Sequence, residues 1–218
     1  MRNIERGHVT ETEFQSLMEK VIKYIAKHRE NAIWGAVMVI AAVVAVVFFF
    51  SRNEAVKPEA ELMQTQGISL ITMGRIADAQ NMFTQLSEKY PNTRPGKISL
   101  YYLGVISFSG GKFDEALTFF NRYLGKDKDD FLLSGSALYA AGCAAEGLKD
   151  YEKALVFYRK VAGNNKSPFY HQALLASGRL EGMLGNKDQA KEILRKLLEL
   201  NPAQDVANDA KYYLGYFN

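Results

Sequence analysis

Three histidines, one cysteine and a short acidic run are the residues of this 218-residue chain to which chemistry would first be assigned. A transition-metal site needs His, Cys or carboxylate ligands at close, regular spacing. His8, His28 and His171 fall in three different regions, with no cysteine or carboxylate cluster at ligand spacing beside them. Cys143 stands among Ala140, Ala141, Ala144 and Ala145, the setting of a small packing residue, and a single cysteine excludes an intrachain disulfide. Asp127, Asp129 and Asp130 lack the spacing and the closing glutamate of a calcium loop and read as a solvated connection. Gly110–Gly111 reads as a turn, and no phosphate-cradling loop is present. The expectation is a chain with no catalytic residue, no metal and no cofactor. A net charge of +3, from 27 Lys and Arg against 24 Asp and Glu, is too mild for a nucleic-acid partner.

With chemistry set aside, binding and placement become the questions. Residues Ala32–Phe50 read AIWGAVMVIAAVVAVVFFF, without a charge. As a helix rising about 1.5 Å per residue the run spans roughly 28 Å, close to the hydrocarbon thickness of a bilayer. The 31 residues before it are too many for the n-region of a signal peptide, and SRNEAVK after Phe50 offers no small-residue cleavage site. An uncleaved, single-pass transmembrane helix over 32–50 is therefore expected, in contact with membrane lipid. Lys20, Lys23, Lys27 and Arg29 precede it, whereas only Arg52 and Lys57 follow closely. The excess of positive charge puts the N-terminus in the cytoplasm and the rest across the membrane, with Trp34 at the inner interface.

Residues 1–31 read as a cytoplasmic basic amphipathic helix. Thr10 and Glu13 form a capping box, and Phe14, Leu17, Met18, Val21, Ile22 and Ile25 recur at helical spacing opposite Glu19, Lys20, Lys23 and Lys27. Such a helix rests on anionic lipid or docks on the cytoplasmic face of a membrane partner. Residues 51–59 form a linker, with a short hinge at Asn53–Pro58.

The remainder is periodic. The tetrapeptide YYLG occurs at 101–104 and again at 212–215, 111 residues apart. Gly67, Gly104, Gly142, Gly178 and Gly215 divide the chain into steps of 37, 38, 36 and 37 residues. Twelve residues after the first four glycines stand Ala79, Ala116, Ala154 and Ala190, and four further on Phe83, Phe120, Tyr158 and Leu194. Pro91 and Pro202 each lie twelve past their alanine. The segments LYYLGVISFSGGKFDEALTFF and LYAAGCAAEGLKDYEKALVFY are the clearest copies.

This pattern resembles the tetratricopeptide repeat (TPR) family. The resemblance implies an all-α α-solenoid over 60–218: four helical hairpins at about 60–93, 97–130, 135–168 and 171–204, and a capping helix at 208–217. Glycine and alanine are expected to face one another where the paired backbones approach. GGKFDEA, GLKDYEKA and GNKDQA are expected to supply the tight turns. Gln66, Ser177 and Leu194 depart from the family's usual residues.

In this family the first helix of each pair lines a concave groove. Carried onto this chain, the protein- or peptide-binding positions are Ile68 in the first unit and Tyr101, Tyr102, Val105 and Phe108 in the second. Tyr139 and Cys143 stand in the third, Leu175 and Arg179 in the fourth, and Tyr212 and Tyr216 in the cap. The set is apolar and aromatic with little charge, so the carboxylate clamp of some relatives is not carried over. Either these tyrosines line an open surface or they pack between units.

The order of basic helix, anchor and repeats is similar to that of bacterial TPR-like membrane proteins that include the ancillary subunit of the Sec translocon. That resemblance implies a periplasmic scaffold on the bacterial inner membrane. Its partners would be translocon subunits, unfolded or exported polypeptides and periplasmic chaperones. A structural envelope organiser is the alternative: a cell-division or outer-membrane assembly adaptor, or a self-assembling scaffold that forms an oligomer.

Overall fold

The computed structural model describes residues 57–126 and 131–217, together with Gln15, Ser16, Met18, Glu19, Lys23, Lys27, Trp34 and 37–46. Two compact units result, 1–55 and 56–218. In the first, the described residues are helical and exposed, Trp34 and the valines of 37–46 among them. Among the described residues no helix is long and apolar enough to cross a membrane. The ends of the apolar run, Ala32 and Phe50, lie outside the described residues. So do Thr10–Phe14, Leu17, Val21, Ile22, Ile25, the Asn53–Val56 part of the hinge, His8, His28 and the acidic run at 127–130.

The second unit is all helical in its described residues. Its helices are α1 (Pro58–Thr72), α2 (Ile76–Lys89), α3 (Arg94–Ser109), α4 (Phe113–Lys126), α5 (Phe131–Gly147), α6 (Tyr151–Ala162), α7 (Tyr170–Met183), α8 (Lys187–Glu199) and α9 (Gln204–Tyr216). Local chemistry fixes several starts. Pro58 opens α1 with a ring already set to helical φ, and Pro95 does so in α3, where the Thr93 hydroxyl accepts from the Gly96 N–H at 3.2 Å. Asp150 caps α6 by accepting from the Lys153 N–H at 3.1 Å. Every second helix carries acid in its first turn, Asp78, Asp114, Glu152 and Asp188 among these residues, facing the positive end of the helix dipole.

Several boundaries differ from those expected. α1, α3, α5 and α7 begin at Pro58, Arg94, Phe131 and Tyr170, ahead of 60, 97, 135 and 171, and α9 begins at Gln204 instead of Asn208. Repeat phasing locates the middle of a helix, and in α1 and α3 a proline, with the Thr93 cap in α3, sets where the backbone first turns.

One left-handed residue closes each hairpin: Gly74 (φ 73°), Gly111 (φ 72°), Lys149 (φ 62°) and Gly185 (φ 92°). All four stand seven residues after the phase glycine. Glycine adopts this conformation freely, and Lys149 adopts it at a cost.

Consecutive helices pack against each other throughout. First helices also approach one another directly in the pairs α1–α3, α3–α5 and α7–α9, and among the described residues no pair of second helices approaches as extensively. The first helices are therefore the inner layer of the curve. Among the described residues α5 and α7 approach one another less extensively.

The phase glycines explain the rhythm. A Cβ on Gly67, Gly104, Gly142 or Gly178 would stand 2.7, 2.6, 2.6 or 2.7 Å from Phe83, Phe120, Tyr158 or Leu194. The nearest partner of each glycine is thus the large side chain sixteen residues on, with the Ala190 carbonyl also within 3.5 Å at Gly178. Ala79, Ala116, Ala154 and Ala190 are fully buried where the paired helices cross. The buried residues form three clusters along the solenoid, with Leu138 packed against the first two and Ala162 against the last two.

Candidate functional site

The inner face is built from side chains of α1, α3, α5 and α7, which pack on their own second helices and on the neighbouring units. On α3, Tyr102 stacks on Phe83 of the preceding hairpin at 4.8 Å, and Tyr101 lies 6.0 Å from both Phe120 and Tyr123. Burial, then the neighbouring Tyr102, raises the Tyr101 phenol, while a hydrogen bond with Ser136 pulls it the other way. Phe108 sits edge-on to Phe113 at 5.5 Å. Ile68 and Val105 are half-buried against the same core. These side chains hold the units together and offer one flank to the groove.

The third and fourth units supply a polar centre. Tyr139 lies between Tyr158, at 5.3 Å, and Phe169, on which it stacks at 4.8 Å. Burial above all, then Cys143 and Glu146, pushes its phenol up to about 12. Tyr158 donates to Glu146 Oε1 at 2.7 Å, and its hydroxyl oxygen lies 3.3 Å from Cys143 Sγ. Burial drives its phenol far above the ordinary range. The Cys143 thiol is raised too, by burial first, so the thiolate that nucleophilic chemistry needs is disfavoured.

Arg179 completes the centre. Its Nη2 donates to both carboxylate oxygens of Glu146, at 2.8 and 2.6 Å, and its Nη1 reaches Met183 Sδ at 3.7 Å. The two charged side chains are only 22% and 21% exposed. The pair bridges α5 and α7. The groove is thus not nearly uncharged, as expected from its residue types, but carries a satisfied, largely desolvated ion pair at its middle. Two opposite charges at groove positions of successive units were visible in the sequence, but their pairing depends on how far apart those units stack.

A second staple lies behind the groove. Glu181 on α7 is fully buried, bonded to Arg159 of α6 and accepting from Asn186 Nδ2 at 2.8 Å. Nothing in the repeat pattern singles it out, since the corresponding positions hold Leu70, Ser107 and Ala145.

At the end of the solenoid the expected residues separate. Leu175 packs half-buried beside the terminal core. Phe217 fills the space over Gly182, where a Cβ would meet its ring at 2.2 Å, and Tyr213 stacks on it at 6.0 Å. Tyr212 and Tyr216 are 65% and 69% exposed and stack on each other at 6.4 Å. At the other end a cleft of about 500 Å³ opens between α1 and α2, lined by Gln66, Ser69, Met73 and Met82 among others. No group of three or more His, Cys, Asp or Glu suited to a metal ion occurs among the described residues.

Three sequence-family models, each described as tetratricopeptide repeat, match residues 65–131, 135–167 and 172–203, together more than half of the chain. The chain is a tetratricopeptide-repeat protein. Its helices superpose on other TPR structures. One is a tetratricopeptide repeat protein from Parabacteroides merdae ATCC 43184 (TM-score 0.64, 23% identity, covering 74% of this chain and 60% of that one). A second is a double mutant of MamA RS-1 (0.62, 20%, 75% and 85%). A third is YrrB, described as a TPR protein with an unusual peptide-binding site (0.57, 17%, 71% and 75%). These likenesses establish the fold of the TPR unit. No curated protein matches the sequence. TPR domains are protein-interaction scaffolds.

Proposed function

We propose that this TPR protein is a membrane-anchored scaffold that holds segments of other polypeptides against its inner face. The observation that carries the reading is the partly exposed row Tyr101, Val105, Tyr139 and Arg179 along successive first helices. Tyrosine offers a large apolar surface with a polar tip and few rotors to freeze, and suits varied peptide side chains. YrrB, alike in fold, is described by a peptide-binding site, and a peptide is the ligand class proposed here.

The anchor is the apolar run at 32–50. Within it, residues 37–46 are helical and exposed, with Met38 and Ile40 at 70% and 63%. So much uncovered apolar surface is unfavourable in water and favourable in lipid. The basic flank before it supports a cytoplasmic N-terminus and a periplasmic TPR domain at the inner membrane. Tethering raises local concentration, so weak groove contacts suffice for exported chains beside the translocon.

Affinity purification of the full chain in mild detergent tests this reading. Translocon subunits, periplasmic chaperones and a varied set of exported proteins are the expected co-purifying species. Recovery of one stoichiometric envelope complex would replace the reading with that of an envelope organiser.

A further inference from the structure

Beside the groove, α9 presents a face that the rest of the molecule never leaves bare. In each of the four hairpins the phase glycine of the first helix is covered by the second helix, whose Phe83, Phe120, Tyr158 or Leu194 occupies the space of the missing Cβ. The tyrosine three residues before that glycine rests on the same covering side chain: Tyr101 on Phe120 and Tyr139 on Tyr158. α9 repeats this face with Tyr212 and Gly215, and adds Tyr216. Nothing lies within 4 Å of a Cβ placed on Gly215, and both tyrosines are exposed.

On α9 the rings of Tyr212 and Tyr216 stack on each other beside this open slot.

We propose that this face of α9 docks an α-helix of a partner polypeptide, one that carries alanine and, four residues on, phenylalanine, tyrosine or leucine. The chain contains four examples of that complement in α2, α4, α6 and α8, each with its alanine buried at the crossing. The docked helix extends the α7–α9 stack by completing a fifth hairpin, and the inference stands apart from peptide capture in the groove.

The test uses the full chain and a dye-labelled peptide of residues 112–126, the sequence of α4 with its preceding lysine, read by fluorescence anisotropy. Gly215→Ala is the blocking variant, because its methyl enters open space in the free protein but the place of the ring in the complex. The expected result is saturable binding, weakened about tenfold or more by Gly215→Ala, by Tyr212→Ala, or by Phe120→Ala in the peptide. The melting temperature of Gly215→Ala should equal or exceed that of the parent. Absence of binding, or binding indifferent to Gly215→Ala, overturns the proposal. So does a sedimentation experiment in which the parent is a dimer and Gly215→Ala a monomer, since a second copy then covers the face.

Discussion

Gly142→Ala probes the contact on which the repeat rests. The added Cβ would lie 2.6 Å from Cε1 and 2.8 Å from Cδ1 of Tyr158, closer than real side-chain carbons approach. The ring has little freedom to withdraw. It is 1% exposed, and its hydroxyl is bonded to Glu146 and Cys143. Overpacking of this kind costs about 1–3 kcal/mol. Replacing glycine inside a helix returns about 0.5–1 kcal/mol of backbone entropy. The net expectation is a loss of about 1–2 kcal/mol, or about 2–8 °C in Tm for a domain of this size. Circular dichroism at 222 nm, followed through a urea titration and a thermal scan, measures both. Tyr158→Phe cuts the hydroxyl tethers, so the methyl should cost about 1 kcal/mol less in that background. A Gly142→Ala chain as stable as the parent, or an equal cost in the two backgrounds, would refute the reasoning that a fixed ring fills the glycine's place.

Lys149→Gly places glycine at the one hairpin turn that lacks it and should raise stability by about 0.5–1 kcal/mol in urea titration, since a left-handed lysine is strained. Arg179→Met leaves Glu146 largely desolvated with only Tyr158 as partner and should cost about 3 kcal/mol, the lower end for a broken buried pair. Adding Glu146→Gln should recover most of that loss in the same titration. Cys143 should react with a thiol reagent at pH 8 more than tenfold slower in the folded chain than in urea, because burial raises its pKa. Tyr139 and Tyr158 both have raised folded-state values against an unfolded value of about 10. Their stabilisation is whole below about pH 10 and is lost as pH rises through about 12, where Tyr139 ionises. Denaturation midpoints should fall over that window, and less steeply in Tyr158→Phe.

Much of the fold was legible because its decisive contacts are short-range in sequence. Gly104 and Phe120, or Gly142 and Tyr158, are sixteen residues apart and recur in step, so one hairpin read correctly gives the rest. The stacking between hairpins was less legible. The Glu146–Arg179 pair and the buried Glu181–Arg159 pair join different units, and their partners depend on the superhelical offset, which periodicity does not encode. The turn at Lys149 was recognised as a turn, but the backbone conformation it shares with Gly74, Gly111 and Gly185 emerged from the φ angles.

The tyrosines show the limit most clearly. Tyr101, Tyr139 and Tyr212 hold the same position in the repeat. The first two are half-buried because a second helix crosses them, and the third is exposed where none does. Residue type and phase are identical, so only the coordinates separate packing from presentation.

Peptide capture by the inner face is tested most directly by site-specific photocrosslinking of the full chain in living cells. A benzophenone side chain is placed in turn at Val105 and Leu175 on first helices, and at Lys153 and Glu192 on second helices. The expected result is a ladder of varied polypeptides crosslinked from Val105 and Leu175, and little from Lys153 or Glu192. Equal crosslinking from both layers, or crosslinking confined to the second helices, would contradict it.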